Sequence, residues 1–219
     1  MPAQSATNVS YLRPRDSEWV DELEVKRSQF IAIARRTATE LEARTFIDDV
    51  RSRYPDARHH CTAFIVHMDK AQPIERSSDD GEPAGTAGQP MLEALRGSGL
   101  LDITVVVVRY FGGVKLGTGG LVRAYHDATK GVLSKIDVVS RQQLELFSVS
   151  VPHADAGRVE AEIRDAGVDV VDVEYTVEAV MTLAVKPGVD MGGVIAKITS
   201  GQVTPKNAGT TWVDIPVCT

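Results

Sequence analysis

The apolar positions between residues 18 and 137 follow the spacing of alternating strands and helices. Residues 20–36 predict one or two strands, and the apolar runs at 61–68 and 102–110 predict two more. Thr39 followed three residues later by Glu42 forms a capping box, so a helix is expected from there to Pro55. Helical spacing returns after Pro90 and again from Leu121, with a polar loop expected over 76–89.

The C-terminal part shows a different order of elements. Its pattern predicts a strand at 144–151, a helix at 154–166, two strands, a helix at 190–199 and a strand at 202–216. Within the two middle strands, strict alternation from 171 to 185 puts Tyr175 on the apolar face and Asp172 and Glu174 on the outer face. This βαββαβ order is typical of a ferredoxin-like domain.

The polar stretch 137–143 interrupts both patterns and predicts a division of the chain. We expect a flexible tail at 1–17, an N-terminal domain at 18–137, a linker at 138–143 and a C-terminal domain at 144–219. The predicted fold class is α+β.

Composition and charge narrow the classes of function. Hydrophobic residues make up 43% and charged residues 25% of the chain, which is ordinary for a soluble globular protein. Residues 1–137 hold 18 basic and 19 acidic residues, a net charge of −1, and residues 138–219 hold 6 and 11, a net charge of −5. The chain therefore lacks a broad basic footprint, although a local basic patch is compatible with these numbers. Two cysteines cannot form a disulfide framework, and without an apolar span or signal peptide we expect a cytoplasmic protein.

A glycine-rich segment between the strand at 102–110 and the following helix is the leading candidate site. Glycines allow close approach of a ligand, and free N–H groups at a helix start favour an anion. The segment is neither a P-loop nor a dinucleotide fingerprint, and a plain turn that needs glycines is the alternative. The candidate anion-binding or nucleic-acid-binding residues are Arg109, Gly112, Gly113, Lys115, Gly117, Thr118, Gly119, Gly120 and Arg123.

An acidic loop, SSDDGEPAGTAG at 77–88, is the second candidate. Asp79, Asp80 and Glu82 are candidate ligands of a hard cation or, together with His60, candidate acid–base groups. The alternative is a solvated turn whose acids favour the start of the next helix.

Three segments of the chain together resemble the YigZ/IMPACT family. They read DARHHC at 56–61, SDDGEPAGTAG at 78–88, and VVVRYFGG at 106–113 running into LGTGGLV at 116–122. The resemblance implies a ribosomal-protein-like N-terminal domain similar to domain IV of elongation factor G. It also implies a C-terminal domain like the last domain of that factor.

The resemblance further implies a role in regulating translation, to which eukaryotic relatives are linked. We therefore expect a binding protein that contacts RNA, the ribosome or a translation factor through residues 112–123. Two alternatives remain open: an enzyme that uses the acidic loop on a phosphate-bearing or other anionic small molecule, and a structural adaptor. No cofactor or membrane partner is expected, and a monomer is compatible with the sequence.

Overall fold

The computed structural model describes residues 10–217. These residues form two compact units, built mainly from residues 11–140 and residues 141–215. The α+β class expected from the sequence is confirmed, because both units combine helices with antiparallel strand pairs.

The N-terminal unit contains one five-stranded sheet and three helices. Its elements are β1 Ser10–Pro14, β2 Glu18–Val25, β3 Ser28–Arg36, α1 Glu40–Arg53, β4 His59–Val66, β5 Ile74–Ser78, α2 Gly88–Ser98, β6 Ile103–Tyr110 and α3 Thr118–Leu133. The sheet has the order β2-β3-β6-β4-β5, and every neighbouring pair in it is antiparallel.

The sheet lies between two helical layers. Alternate residues of β3 and β6, such as Ile33 and Val106, pack with α1 on one face. The residues between them, such as Ala32 and Val105, pack with α2 and α3 on the other face. Both faces of the central strands are therefore buried, which explains the run of consecutive valines in β6.

Local sequence signals account for most element ends. The Glu42 backbone N–H donates to Thr39 Oγ1 at 3.1 Å, and the Glu42 carboxylate accepts from the Ala38 N–H at 2.8 Å, so the expected cap is present. Lys26 and Arg27 both adopt positive φ, as a tight two-residue hairpin turn between β2 and β3 requires.

Two short strands differ from the sequence-based expectation. Residues 76–78 belong to β5 rather than to the polar loop, because they pair with β4 through Thr62 and its neighbours. Of the predicted tail, residues 1–9 lie outside the described part, but Ser10–Pro14 forms β1. Tyr11 Oη donates to the buried Asp102 carboxylate at 2.7 Å, and the Leu101 N–H donates to the Leu12 carbonyl at 2.9 Å. These contacts of β1 are non-local, so this short strand carries no signal of its own.

The C-terminal unit has the predicted βαββαβ order. Its elements are β7 Val138–Val151, α4 Ala156–Asp165, β8 Asp169–Tyr175, β9 Ala179–Val185, α5 Met191–Ile198 and β10 Lys206–Pro216. The sheet has the order β1-β7-β9-β8, β10 also pairs with β7, and α4 and α5 bury one of the sheet's faces. Residues 138–143, expected to be a linker, are extended as the first part of β7.

The expected alternation is wrong in β8. The pairing with β9 shifts between Val170 and Asp172, so the side that faces the core changes within the strand. Val170 and Val173 pack against the core, whereas Tyr175 is exposed. Among the described residues, no helix is long and apolar enough to cross a membrane.

Candidate functional site

Several element ends of the N-terminal unit meet at one end of its sheet. The pairing of Arg109 with both Phe30 and His59 sets the end of β6 between the starts of β3 and β4. The β2–β3 turn, the acidic loop after β5 and the start of α3 therefore belong to the same end. Both segments singled out in the sequence lie there.

A buried triad of Glu82, Arg109 and Tyr125 joins the acidic loop to the glycine-rich segment. Glu82 Oε1 accepts from Arg109 Nη1 at 2.5 Å and from Tyr125 Oη at 2.7 Å. The Glu82 and Arg109 side chains are only 4% and 8% exposed. Because Arg109 precedes the glycine-rich segment and Tyr125 follows it, Glu82 fixes both of its flanks. The Arg109 charge is thus engaged inside the protein.

The Asp79 carboxylate is occupied by backbone donors. It accepts from the N–H groups of Gly85 at 2.8 Å, Ala87 at 3.0 Å and Gly88 at 2.8 Å. Burial raises the pKa of this carboxyl, but the three hydrogen bonds outweigh burial and hold the pKa below its usual value. Asp79 therefore stabilises the loop and supplies the negative charge at the start of α2, whose own first turn contains no acidic residue.

Asp80 and His60 form a second set of internal contacts. Asp80 Oδ2 accepts from the His60 backbone N–H at 2.7 Å, and Asp80 Oδ1 accepts from Arg51 Nη2 at 3.1 Å. The His60 ring is buried and lies 3.0 Å from the Tyr54 carbonyl through Nε2, which must therefore carry the proton. His60 Nδ1 is 3.8 Å from Asp80 Oδ2, too far for a hydrogen bond.

These contacts disfavour a metal-binding or acid–base role for the carboxylates of the acidic loop. Each of its three carboxylates already accepts hydrogen bonds from the protein, and Glu82 is sealed from solvent. Within residues 10–217, no group of three or more His, Cys, Asp or Glu side chains is placed to hold a metal ion. The geometry therefore favours a structural role for Asp79, Asp80 and Glu82.

A cysteine and a tyrosine beside the triad are held in their neutral forms. Burial raises the pKa of the Cys61 thiol to about 12, and the thiol donates to the Asp79 carbonyl at 3.0 Å. Burial also raises the pKa of Tyr125, which keeps its hydroxyl a donor to Glu82. Neither group is activated as a nucleophile.

Gly112 is required by packing against the β2–β3 turn. A Cβ at this position would lie 2.0 Å from the Arg27 carbonyl carbon and 2.3 Å from the Ser28 nitrogen. The Gly112 N–H donates to Ser28 Oγ at 3.1 Å, so it is not free for a ligand. Gly113 and Gly117 adopt positive φ. These glycines serve the fold, as the turn alternative proposed.

The start of α3 differs from the rest of the segment because its donors face solvent. The Gly117 carbonyl accepts from Gly120 and Leu121, and Gly117 provides no side-chain cap. Within the described residues, the N–H groups of Thr118 and Gly119 meet no acceptor. A Cβ on Gly119 would have open space around it, and φ there is not positive. Nothing in the described fold demands glycine at 119.

Exposed basic side chains and one exposed aromatic ring belong to the same end of the sheet as this helix start. The exposed cations at this end of the sheet are Lys26, Arg27, Arg58, Lys115 and Arg123. None of the five forms an ion pair with another residue of the described chain. Phe111 is 55% exposed, and its ring lies 5.8 Å from the Arg109 guanidinium carbon. We call these five cations, Phe111 and the first turn of α3 the basic edge.

Sequence reasoning identified only part of the basic edge. Lys115, Thr118, Gly119 and Arg123 were expected, whereas Lys26 and Arg27 join them through the strand order of the sheet. The one available signal for these two was their position between two strand-like patterns, where a tight turn exposes its side chains.

Comparisons with known proteins identify the family of the chain. A family model described as the Impact N-terminal domain matches residues 26–133, and one described as a domain of unknown function, DUF1949, matches residues 149–189. The chain is 38% identical to the IMPACT family member YvyE of Bacillus subtilis, over 71% of this chain and 70% of that protein. It is 37% identical to the IMPACT family member YigZ of Escherichia coli, over 74% of this chain and 79% of that protein.

A solved structure has a similar fold along most of the chain. It is described as that of a hypothetical protein, is 34% identical, has a TM-score of 0.60 and covers 90% of this chain and 96% of its own. The Impact model spans the acidic loop, the buried triad and the basic edge. This chain therefore belongs to the IMPACT family.

Proposed function

We propose that this protein binds RNA through its basic edge and acts in the regulation of translation, the role that the family resemblance implies. The observation that carries the proposal is the collection of unpaired cations, free N–H donors and an exposed phenyl ring at one end of one sheet. Lys and Arg side chains and helix N–H groups are the usual donors to phosphate oxygens. An exposed aromatic ring offers a stacking surface for an unpaired base.

The charge distribution favours a local contact over general polyanion coating. Residues 1–137 have a net charge of −1, so the five cations of the basic edge are balanced by acids elsewhere. Glu82, Asp79 and Asp80, the acids nearest to it in the loop, are each engaged within the protein. Phosphate groups at the basic edge therefore meet positive charge that no internal ion pair neutralises.

Salt dependence of RNA binding tests the proposal. Fluorescence anisotropy of a labelled single-stranded RNA, measured from 50 to 200 mM salt, gives the slope of log K against log salt. The double substitution Lys26→Asn/Arg27→Gly removes two charges while keeping residues that suit a hairpin turn with positive φ. Each phosphate contact contributes about 0.7 to the magnitude of this slope for a single strand, so the loss of two contacts should reduce it by about 1.4.

Lys115→Gln/Arg123→Gln is the second variant, and Lys130→Gln on the same helix is its control. Lys130 is exposed, but it lies three turns from the start of α3. The control should leave the slope within about 0.7 of the parent value, since it lies outside the basic edge. Equal slopes in parent and in both double variants would refute the basic edge as the RNA contact.

Gly119→Ala separates ligand approach from folding. The new methyl group meets no atom of the protein, so the melting temperature should be unchanged or slightly raised. A phosphate that approaches the Thr118 and Gly119 N–H groups would be obstructed, and RNA affinity should fall. Gly97→Ala, at another glycine with open space on α2, should also leave the melting temperature unchanged or slightly raised, but it should not change RNA affinity.

Co-sedimentation with ribosomes tests the link to translation. The parent protein should pellet with ribosomes at low salt and be released as salt rises, and the two double variants should be released at lower salt. Binding to isolated RNA without any ribosome association would retain the RNA contact and reject the translational role.

A further inference from the structure

We infer that the outer edge of β8 in the C-terminal unit binds a basic, extended peptide segment of another protein by strand addition. This inference is separate from the proposed RNA contact, which lies in the N-terminal unit. It rests on three properties of β8: its unpaired edge, its exposed apolar side chains and its acidic charge.

The first property is the open edge. In the described part of the chain, β8 pairs along its length with β9 alone, and it ends the order β1-β7-β9-β8. One row of its backbone N–H and C=O groups is therefore available to an added strand. The Val170 carbonyl already accepts a hydrogen bond from Arg164 Nη2 at 3.4 Å. The shift in pairing between Val170 and Asp172 turns part of the strand away from the core.

The second property is the exposure of large apolar side chains on β8 and in the turn that follows it. Val171 is 54% exposed, Tyr175 is 67% exposed and Val177, in the turn that follows, is 95% exposed. The Tyr175 ring stacks on His153 with 5.9 Å between ring centroids and 17° between ring planes. The stack favours one orientation of the Tyr175 ring, and an oriented side chain loses less entropy when a partner binds.

The third property is negative charge, which selects the partner. Asp169, Asp172 and Glu174 all project from β8 and are exposed, and no ion pair within residues 10–217 neutralises them. The net charge of residues 138–219 is −5. RNA phosphates are repelled by such a strand, and a second copy of β8 would bring like charges opposite each other. A strand that carries Lys or Arg among apolar residues complements both the negative charge and the exposed apolar side chains of β8.

A peptide of ten residues with alternating lysine and valine is the direct probe. Anisotropy of the labelled peptide with the full chain should show binding that weakens with salt. Hydrogen exchange of the backbone amides of β8 should slow when the peptide is present, since strand addition protects them. A peptide with the same sequence and N-methyl groups on alternate residues keeps its charge but loses the edge hydrogen bonds, and should bind much more weakly.

Substitutions on β8 test the contacts. Asp172→Asn/Glu174→Gln should weaken peptide binding by roughly two- to fivefold per charge, as exposed ion pairs do. Tyr175→Ala should weaken it by about two- to tenfold. The control Glu93→Gln/Asp127→Asn removes two exposed carboxylates from the N-terminal unit and should leave the affinity unchanged. All of these side chains are exposed, so folding should be retained.

Three outcomes would overturn the inference. They are equal affinities of parent and β8 variants for the peptide, equal binding of the N-methylated peptide, and self-association of the parent chain that the β8 variants abolish. An alternating glutamate and valine peptide that bound as well as the lysine peptide would reject the charge argument in particular.

Discussion

Separating the two charges of the buried triad should cost much more stability than removing both. Met is close in length to both side chains and carries no charge. Glu82→Met therefore leaves the Arg109 guanidinium buried without its carboxylate, and Arg109→Met leaves the Glu82 carboxylate buried without its guanidinium. Breaking a buried pair in this way costs about 3–5 kcal/mol. Total unfolding free energies are about 5–15 kcal/mol, so each single variant should lose a large fraction of its stability.

The double variant Glu82→Met/Arg109→Met should be far more stable than the two single costs imply. Replacing both charges of a buried pair by apolar groups is often close to neutral. Arg109 Nε is buried and has no hydrogen-bond partner among the described residues, so the native pair is itself incompletely satisfied. The remaining cost is the Tyr125 hydroxyl that loses its acceptor, about 1–3 kcal/mol.

Urea unfolding followed by tryptophan fluorescence measures these costs. A Trp212→Phe background leaves Trp19, which packs against the core of the N-terminal unit, as the reporter. The coupling energy between the two sites should be at least about 3 kcal/mol, because the single costs together are about 6–10 kcal/mol. Single costs below about 1 kcal/mol, or a double cost equal to their sum, would refute the buried triad as a charge pair.

Three further predictions concern the same end of the sheet. Gly112→Ala should lower the unfolding free energy by about 3 kcal/mol, measured by urea unfolding, because its Cβ meets the Arg27 backbone. Asp79→Asn should cost about 1–3 kcal/mol near neutral pH. Since its folded pKa is lowered, the contribution of Asp79 exists above the unfolded carboxyl pKa and is lost as pH falls, so parent and variant should converge in acid. The Cys61 pKa is raised from 9.0 to about 12, so stability should fall as pH rises through that window, and Cys61→Ala should show a shallower fall.

Each of these measurements has a control. Gly119→Ala, in the same segment but with open space around it, should leave stability unchanged or slightly raised. For Cys61, alkylation in a Cys218→Ser background should be slow in the folded protein and fast in urea. Rapid alkylation of the native chain at pH 8 would contradict a buried, protonated thiol. An Asp79→Asn variant that loses as much stability in acid as the parent does would contradict the assigned hydrogen bonds.

Most elements of both units could be predicted from the sequence because their signals are local. The capping box at Thr39 and Glu42, the buried valines of β6 and the βαββαβ order each reflect backbone geometry repeated along a short segment. The strands β1 and β5 were missed, since both contain few apolar residues and therefore show no strand periodicity. The Tyr175 prediction failed because a pairing shift resets the alternation that the prediction assumed.

The candidate site was predicted only in part, because only residues that are close in sequence carry a recognisable signal. By itself the sequence determined that glycines, cations and acids occupy two loops, because those residues are contiguous in the chain. Only the tertiary structure decided that Glu82 is buried against Arg109 and Tyr125, and that the turn of Lys26 and Arg27 packs against Gly112. These neighbours are set by the strand order β2-β3-β6-β4-β5, and non-local pairing of this kind leaves no periodic mark on the residues that it brings together.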